Sequence, residues 1–563
     1  MKIKILIPTI FISSLLLSMF GIYKSTQLAN LEFNFWSSLY LSIQLYAISG
    51  GDFFQPIDTH WILNFARFFA PTVSVISIVL GFITNYNEKF KIWQITHSKN
   101  YTLIIGGSSI IESLLRNETN DKIICTVKNP SNILIDLCQL KKIPLLHAQN
   151  DLSQWENFNI SNAVTIIIDT NNDIENIRLG YELLNQFKIN GRAMTHDQKV
   201  YLNIIDVDII NGLSNELLVK QAHKLEMNRK GNQIIFDVFV FNSSLIVARE
   251  LLKRFPPDNY HPVYKYDDTS PEITVVCDSE LGEYFIINLL KYSHWINLQK
   301  TKINIILLDP NIAYEKIDRQ IKILRSWFDI NFYQYAEVDK NEIFSKSNIV
   351  YVLINDLLKQ NNIIMSIQRG LKKQNSIIII NSQNNYKSIQ QYDNTLNTIT
   401  VDLFSEVISI PFIKNEETDL VAKEINRLYA EENRKDELQK WEWEHLAEEY
   451  KNTNRAAADH LEYKLKLFNC AIAVENDINP EFKINFSNII TPNHEEMEHN
   501  RWWVEKIFAG WAYSSVRDND LKLHNDMIEF DKLSLKSQTK DRANYLNISK
   551  TLNKAGKKII KIE

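Results

Sequence analysis

Cysteine is scarce: Cys125, Cys138, Cys277 and Cys470 are the only four in 563 residues, scattered, three of them inside apolar runs. That excludes a disulfide framework and the closely spaced thiolates of a structural zinc site, and it fits a reducing compartment. Charge of one sign is lacking too, with 62 Lys and Arg against 67 Asp and Glu and a formal net charge of -5. A global nucleic-acid footprint is therefore excluded, and the Lys-rich end from Lys554 to Lys561 reads as a solvated helix end or a strand. Catalytic signatures are also missing: there is no nucleophile elbow, no Walker A sequence and no convergent acid and base. His494 and His499 bracket Glu-Glu-Met-Glu and invite a zinc-protease reading. Five residues apart on a helix, they diverge by ~140° and cannot share a metal. No metal site and no enzymatic activity are expected.

What the chain does have is long apolar stretches at its beginning. Ile5 to Tyr23 carries no charge, and Trp61 to Thr84 carries only Arg67. Each is long enough to cross a membrane, since ~20 residues at ~1.5 Å rise span ~30 Å of hydrocarbon. Lys2 and Lys4 precede the first, and Glu88, Lys89 and Lys91 follow the second. The positive-inside rule then places both ends in the cytoplasm. A signal peptide is the alternative reading of the first stretch. Between the spans, Trp36 to Ile48 is apolar but too short to cross, and Ser49-Gly50-Gly51-Asp52 supplies backbone able to aim carbonyls at an axis. An ordinary extracellular loop is the alternative here. Arg67 is expected to snorkel outward or to pair with an acid of this loop.

Ser38 to Pro56 resembles the pore loop of two-helix potassium channels, in which a pore helix leads into Thr-Val-Gly-Tyr-Gly-Asp and then a proline. The corresponding residues are Ala47, Ile48, Ser49, Gly50, Gly51 and Asp52, followed by Pro56. Ser49 replaces a glycine, Gly50 the tyrosine and Ala47 the threonine, so the resemblance implies a pore-like architecture for cations without specifying potassium.

After Trp93, apolar runs of strand length alternate with helical patterns, the rhythm of parallel α/β sheets. Strands are expected at Tyr101–Ile105, Lys122–Val127, Ile143–Leu146 and Ala163–Asp169. Beyond Phe255-Pro-Pro-Asp-Asn-Tyr-His-Pro262 the rhythm repeats, with Ile273–Cys277, Ile303–Asp309, Ile330–Tyr335, Ile349–Ile354 and Ser376–Ile380. These are two Rossmann-like units, and the first resembles the TrkA-N or RCK domains that regulate potassium channels and transporters. The resemblance implies a nucleotide ligand, of NAD or ATP type, at Gly106, Gly107, Ser108 and Asp173 in the first unit and at Gly282 and Asp309 in the second. The glycine fingerprint is incomplete in both: Ser108 and Ile111 stand at its later positions in the first unit, and Cys277 and Ser279 at its earlier positions in the second. The second strand of the first unit also ends in Thr126-Val127-Lys128 rather than in an acid. A purely structural use of both sheets is the alternative.

From Glu416 the chain is charged and helical in pattern, and Trp441, Trp443, Leu446, Tyr450, Leu461 and Leu465 form an apolar stripe for docking. The last ~80 residues resemble the repeat domain of ryanodine receptors. His499, Trp502, Gly510, Trp511, Tyr513, His524, Asp541 and Arg542 match its pattern, while Ser514 and Lys506 depart from it. His499, Trp502, Trp511, Tyr513, Arg517, His524, Asp541 and Arg542 are candidate ligand residues, since aromatic faces beside arginines suit a base and its phosphates. The core of a small helical domain is the alternative for these tryptophans.

The expected organisation is a pore-like region over 1–95, Rossmann-like units over 96–250 and 251–412, a helical region over 413–485 and a ryanodine-receptor-type domain over 486–563. The resemblances imply a ligand-gated cation channel or ion-transport regulator, serving ion homeostasis or a stress or defence response. It would be a homotetramer in the cytoplasmic (inner) membrane, multi-pass, both termini cytoplasmic, with a small-molecule ligand and no nucleic acid. A non-conducting, membrane-tethered sensor or scaffold is the alternative.

Overall fold

The computed structural model describes residues 2–46, 59–97, 100–117, 122–147, 160–189, 198–206, 209, 236–309, 314–337, 339–354, 356–370, 377–381, 397–413, 418–433, 441–443 and 446–562. Two compact units result, Met1–Ser98 and Lys99–Glu563.

The first unit is three helices: α1 (Lys2–Leu28), α2 (Phe35–Tyr46) and α3 (Trp61–His97). Its small core is Ile22, Leu45, Leu63, Ala66 and Ala70. Two buried serines of α1 turn their hydroxyls onto the helix backbone, Ser18 Oγ donating to Ser14 O and Ser25 Oγ to Gly21 O, each at 2.9 Å. Phe65, Phe68, Val75 and Ile78 of α3 point outward with Phe11, Ile12 and Leu16 of α1. Among the described residues, the α3 window Trp61–Ile78, mean hydropathy 1.4, is long and apolar enough to cross a membrane. Arg67 Nη1 donates to Asn64 Oδ1 on its own helix at 3.2 Å. The short helix α2 lies between α1 and α3 in the chain, and Ala47 to Asp52 lie outside the described residues.

The second unit contains two six-stranded parallel sheets. The first comprises β1 (Tyr101–Ile105), β2 (Ile123–Val127), β3 (Leu145–His147), β4 (Ala163–Ile168), β5 (Gln198–Asn203) and β6 (Phe236–Phe241), in the order β3-β2-β1-β4-β5-β6. The second comprises β7 (Glu272–Cys277), β8 (Thr301–Leu307), β9 (Phe328–Gln334), β10 (Ile349–Leu353), β11 (Ile377–Asn381) and β12 (Asn397–Val401), in the order β9-β8-β7-β10-β11-β12. Both are the doubly wound Rossmann order, so the repeat expected from the sequence is a repeat of topology. Successive side chains alternate faces in a strand. Val275, Ile305 and Tyr351 therefore join the main core, while Val276, Ile306, Val350 and Val352 form a separate core with Ile363, Ile364 and Ile367. Burial on both faces is why these strands are continuous apolar runs.

The main core runs without a break from β1 and β2 through β7 to β10 and on to Leu461, Tyr463, Met497, Val504 and Tyr545 near the C-terminus. Among the described residues, the second sheet is followed by the short helices Leu403–Val407 and Ile410–Ile413 and then by Leu420–Asn433, Glu448–Asp459 and Leu461–Lys466. There follow β13 (Cys470–Val474), helix Pro492–Phe508, β14 (Ala512–Tyr513), β15 (Leu523–His524), helices Leu535–Leu546 and Ile548–Lys554, and β16 (Lys557–Lys561), which pairs antiparallel with β13. Of the expected docking stripe, Leu446, Leu461 and Leu465 are buried, and Trp441 lies between Tyr429 and Tyr450.

An ion network fastens the helical region to the first sheet. Arg249, on the helix Ser243–Arg254 that follows β6, donates through Nε to Asp459 Oδ2 (2.7 Å) and through Nη1 to Asp419 Oδ1 (3.2 Å), while Arg455 Nε reaches Asp419 Oδ2 (2.9 Å). Burial would raise the Asp419 carboxyl, but the two guanidinium groups outweigh it and hold it at about 2. A depressed carboxylate contributes stability that is present above its unfolded value and is lost as pH falls through the folded one. The chain is therefore expected to lose about 2 kcal/mol from this group between pH 4 and pH 2. Asp419→Ala should cost about 3 kcal/mol at neutral pH in denaturant unfolding and flatten that acid slope, because it removes the buried carboxylate shared by two arginines and, among the described residues, leaves Arg249 only Asp459 and Arg455 only Glu448 as acidic partners.

Candidate functional site

In a doubly wound sheet, ligands enter the crevice at the carboxyl ends of the strands where the order reverses, here between β1 and β4 and between β7 and β10. In the first crevice Gly106 directly follows β1 with φ +121°, and a Cβ there would lie 1.8 Å from Asp169 O, so only glycine fits. Ser108 caps the next helix by accepting from Ile111 N (3.2 Å) and donates to the buried Asp169 Oδ2 at 2.6 Å. Asn203 Nδ2 donates to the same oxygen (3.0 Å) and to Ser243 Oγ (3.1 Å). Burial raises the Asp169 carboxyl, and the bonds from Ser108 and Asn203 work against it. Asp173 starts the helix after β4 and accepts from Ile205 N and Asp206 N at 3.0 and 2.8 Å. Beside Gly107, Val127 Cγ1 and Leu134 Cδ2 lie 2.7 and 3.4 Å from where a Cβ would sit. Gly106, Gly107, Ser108 and Asp173 are thus at one sheet edge, where the two polar side chains bond to the protein itself.

The second crevice has a different filling. A Cβ on Gly282 would lie 2.5 Å from Cys277 Cβ and 2.5 Å from the Tyr314 hydroxyl. Tyr314, itself 3% exposed, donates to Ser279 O at 3.0 Å and contacts Cys277 Sγ at 3.2 Å. Burial pushes the Cys277 thiol up to about 12 and moves the Tyr314 phenol upward as well. Asp309 is exposed, two residues beyond β8. The two crevices adjoin: the Ile205 carbonyl past β5 accepts from Asn242 Nδ2 (2.7 Å) and from the Tyr284 hydroxyl on the helix that follows β7. Tyr314 and Asn203 escaped the sequence reading because neither belongs to a local motif.

Near the C-terminus, the structure gathers most of the expected aromatic residues. His499 stacks on Trp502 (5.5 Å between centroids), Trp502 meets His524 edge-on (5.0 Å), and His524 meets Trp511 (5.9 Å). His499 Nδ1 lies 3.5 Å from Asp541 Oδ2, and its Nε2 lies 2.8 Å from Ile528 O. Burial raises the Asp541 carboxyl, and His499 opposes it. Trp511 Nε1 donates to Glu449. Tyr513 and Arg517 are exposed on the adjoining strand and loop, while Arg542 turns to Glu495 Oε1 (3.1 Å) and Ser487 O (3.2 Å). His499, Trp502, Trp511, His524 and Asp541 therefore form one packed cluster, Trp502 half-buried, with Tyr513 and Arg517 at its rim and Arg542 outside it.

Residues 487–561 match the family model described as the RyR domain. This part of the chain is a RyR domain. Among solved structures, the chain is similar to the GsuK channel, at 13% identity and a TM-score of 0.37 over 74% of this chain and 99% of that one. It is similar also to GsuK bound to ADP, at 13% identity and a TM-score of 0.35 over 72% and 96% of the two chains. The GsuK RCK domain matches at 11% identity and a TM-score of 0.35 over 58% and 79%. No curated protein matches the chain.

The RyR domain is joined to its neighbours by side chains from several directions. Trp503 packs edge-on against Trp327 at 4.9 Å, just before β9, and Tyr266 bonds Thr491 Oγ1 at 3.0 Å. Thr453 Oγ1 donates to Glu505 Oε1 at 2.9 Å, and Lys522 pairs with Glu449 at 2.7 Å. Burial and then Arg517 hold the His524 imidazole down at about 4, and its Nδ1 accepts from Asp526 N at 3.0 Å. Stability from a histidine kept neutral is present above its ordinary value and is lost as pH falls through the folded one. Unfolding midpoints should accordingly fall from pH 6.5 toward pH 4, and His524→Gln should reduce that slope in thermal scans of the full chain.

Proposed function

We propose that this chain is a ligand-controlled ion-transport protein of the cytoplasmic membrane, in which the N-terminal helices conduct cations and the RyR domain reads a small-molecule signal. The observation that carries the reading is the joining, in one chain, of an outward-apolar helical unit to tandem Rossmann sheets whose core continues into the RyR domain. A ligand can shift a conformational equilibrium only by its differential affinity for the two states. Within the second unit a continuous core supports such coupling, because a change at the RyR surface is passed through packed side chains to both sheets. The exposed Tyr513 and Arg517 near His524, which meets the half-buried Trp502, suit a nucleotide-type ligand, with stacking for the base and a guanidinium for phosphate. A homotetramer with both termini cytoplasmic completes the proposal, the Ser49 to Asp52 segment lining the path and Asp52 concentrating cations at its mouth.

Ion flux from purified protein in liposomes tests it, with NAD, ADP, ATP and cyclic nucleotides added in turn. Flux should appear with one of these, vanish in Gly50→Pro and lose cation preference in Asp52→Asn. Absence of flux under every ligand, with the assembled oligomer verified, contradicts conduction and leaves a membrane-tethered sensor.

A further inference from the structure

In a Rossmann crevice the adenosine half of a dinucleotide lies between the turn after the first strand and the end of the second strand, its pyrophosphate on the helix N-terminus and its ribose on an acid. That space is taken by protein in both units. At the second sheet, Tyr314 comes from just beyond β8 and places its hydroxyl on Ser279 O, within the turn that would cradle the pyrophosphate. The hydroxyl lies 2.5 Å from where a Cβ on Gly282 would sit, so it packs against the glycine and no layer of ligand fits between them. At the first sheet, Val127 and Leu134, both buried, close on Gly107, and Ser108, the residue at the second glycine position, spends its hydroxyl on Asp169. No acid ends β2, where Val127 is followed by Lys128.

The residues present therefore do not fit the dinucleotide that the fold implies. We infer that the second crevice is plugged by the chain's own Tyr314 and the first by Val127, Leu134 and the Ser108–Asp169 pair, so both sheets serve as scaffold and neither is a nucleotide site. The hydroxyl of Tyr314 takes the turn's polar contacts and its ring takes the apolar volume, an internal substitute for the ligand. Asp309, the exposed acid past β8, then has no ribose to hold. This inference concerns the Rossmann crevices alone and stands whether or not the N-terminal helices conduct.

Photo-crosslinking of the full chain with azido-ADP and azido-NAD, followed by peptide mapping, tests it. In the wild-type chain no saturable adduct should form on peptides covering 101–134, 272–282 or 301–309. Adducts confined to 487–561 agree with the inference. Tyr314→Ala, checked for native unfolding behaviour, should empty the second crevice and raise labelling of 272–282 by about tenfold, while Tyr314→Phe, which keeps the ring, should stay near wild type. Saturable wild-type labelling of those peptides, competed by unlabelled nucleotide, overturns the inference. So does a folded Tyr314→Ala chain that gains no label. Should the alanine variant fail to fold, the wild-type map alone decides.

Discussion

Glu498 sits between Lys464 Nζ at 2.7 Å and Arg501 Nη2 at 2.9 Å, with all three side chains at most 2% exposed. Three charges removed from water cost several kcal/mol each before their attraction returns any of it, so such a centre is retained only where its geometry is well held. Burial would raise Glu498, yet Arg501 and Lys464 outweigh it and keep the carboxylate ionised far below its usual range. The surroundings are arranged around this charge. Lys464 also lies over the Tyr545 ring, and burial holds His460 and His294 neutral nearby. Lys464 belongs to the helix before the RyR domain and Glu498 to its first long helix, so the domain cannot shift without exposing or separating buried charges.

Around that centre the second Rossmann unit, the helical region and the RyR domain share polar contacts that cross every boundary. Tyr463 accepts from Ile296 N at 3.0 Å and donates to Val263 O at 2.6 Å, and Asp258, fully buried, receives both Tyr292 and Lys466. Each bond joins segments distant in sequence, and each would leave a buried polar group unsatisfied if broken. Among the described residues the sheets supply rigidity and side chains fill their crevices, and in the proposed reading the aromatic rim of the RyR domain is where a ligand would bind.

Much of this was legible in the sequence because it is periodic or local. Strands buried on both faces, such as Ile303 to Leu307 and Ile349 to Leu353, are unbroken apolar runs, and the Pro-containing stretch at 255–262 separates the two sheets as expected. β5, β6, β12 and β13 were not anticipated: Gln198-Lys-Val-Tyr-Leu-Asn203 mixes polar with apolar residues, its Gln198 being buried because its amide donates to Ile160 O and Ala163 O. β13 is short and makes sense only beside its partner β16, some eighty residues later. In the RyR domain, the spacing of His499, Trp502, Trp511 and His524 revealed the cluster, whereas the turn of Arg542 toward Glu495 depends on helix phase that spacing does not carry. The filling of the second crevice by Tyr314, the bond of Asn203 to Asp169 in the first, and the pairing of Glu498 with Lys464 are meetings of side chains remote in sequence, set by topology rather than by motif.

The central claim is that the RyR domain and the second Rossmann unit open and close together. Native-state hydrogen exchange measures this directly through the amides of helix Pro492–Phe508 and helix Glu280–Tyr292. Their slowest-exchanging amides should report the same opening free energy and weaken in parallel as denaturant is added. Exchange of Pro492–Phe508 through a separate, lower-energy opening, with Glu280–Tyr292 still protected, would contradict the account.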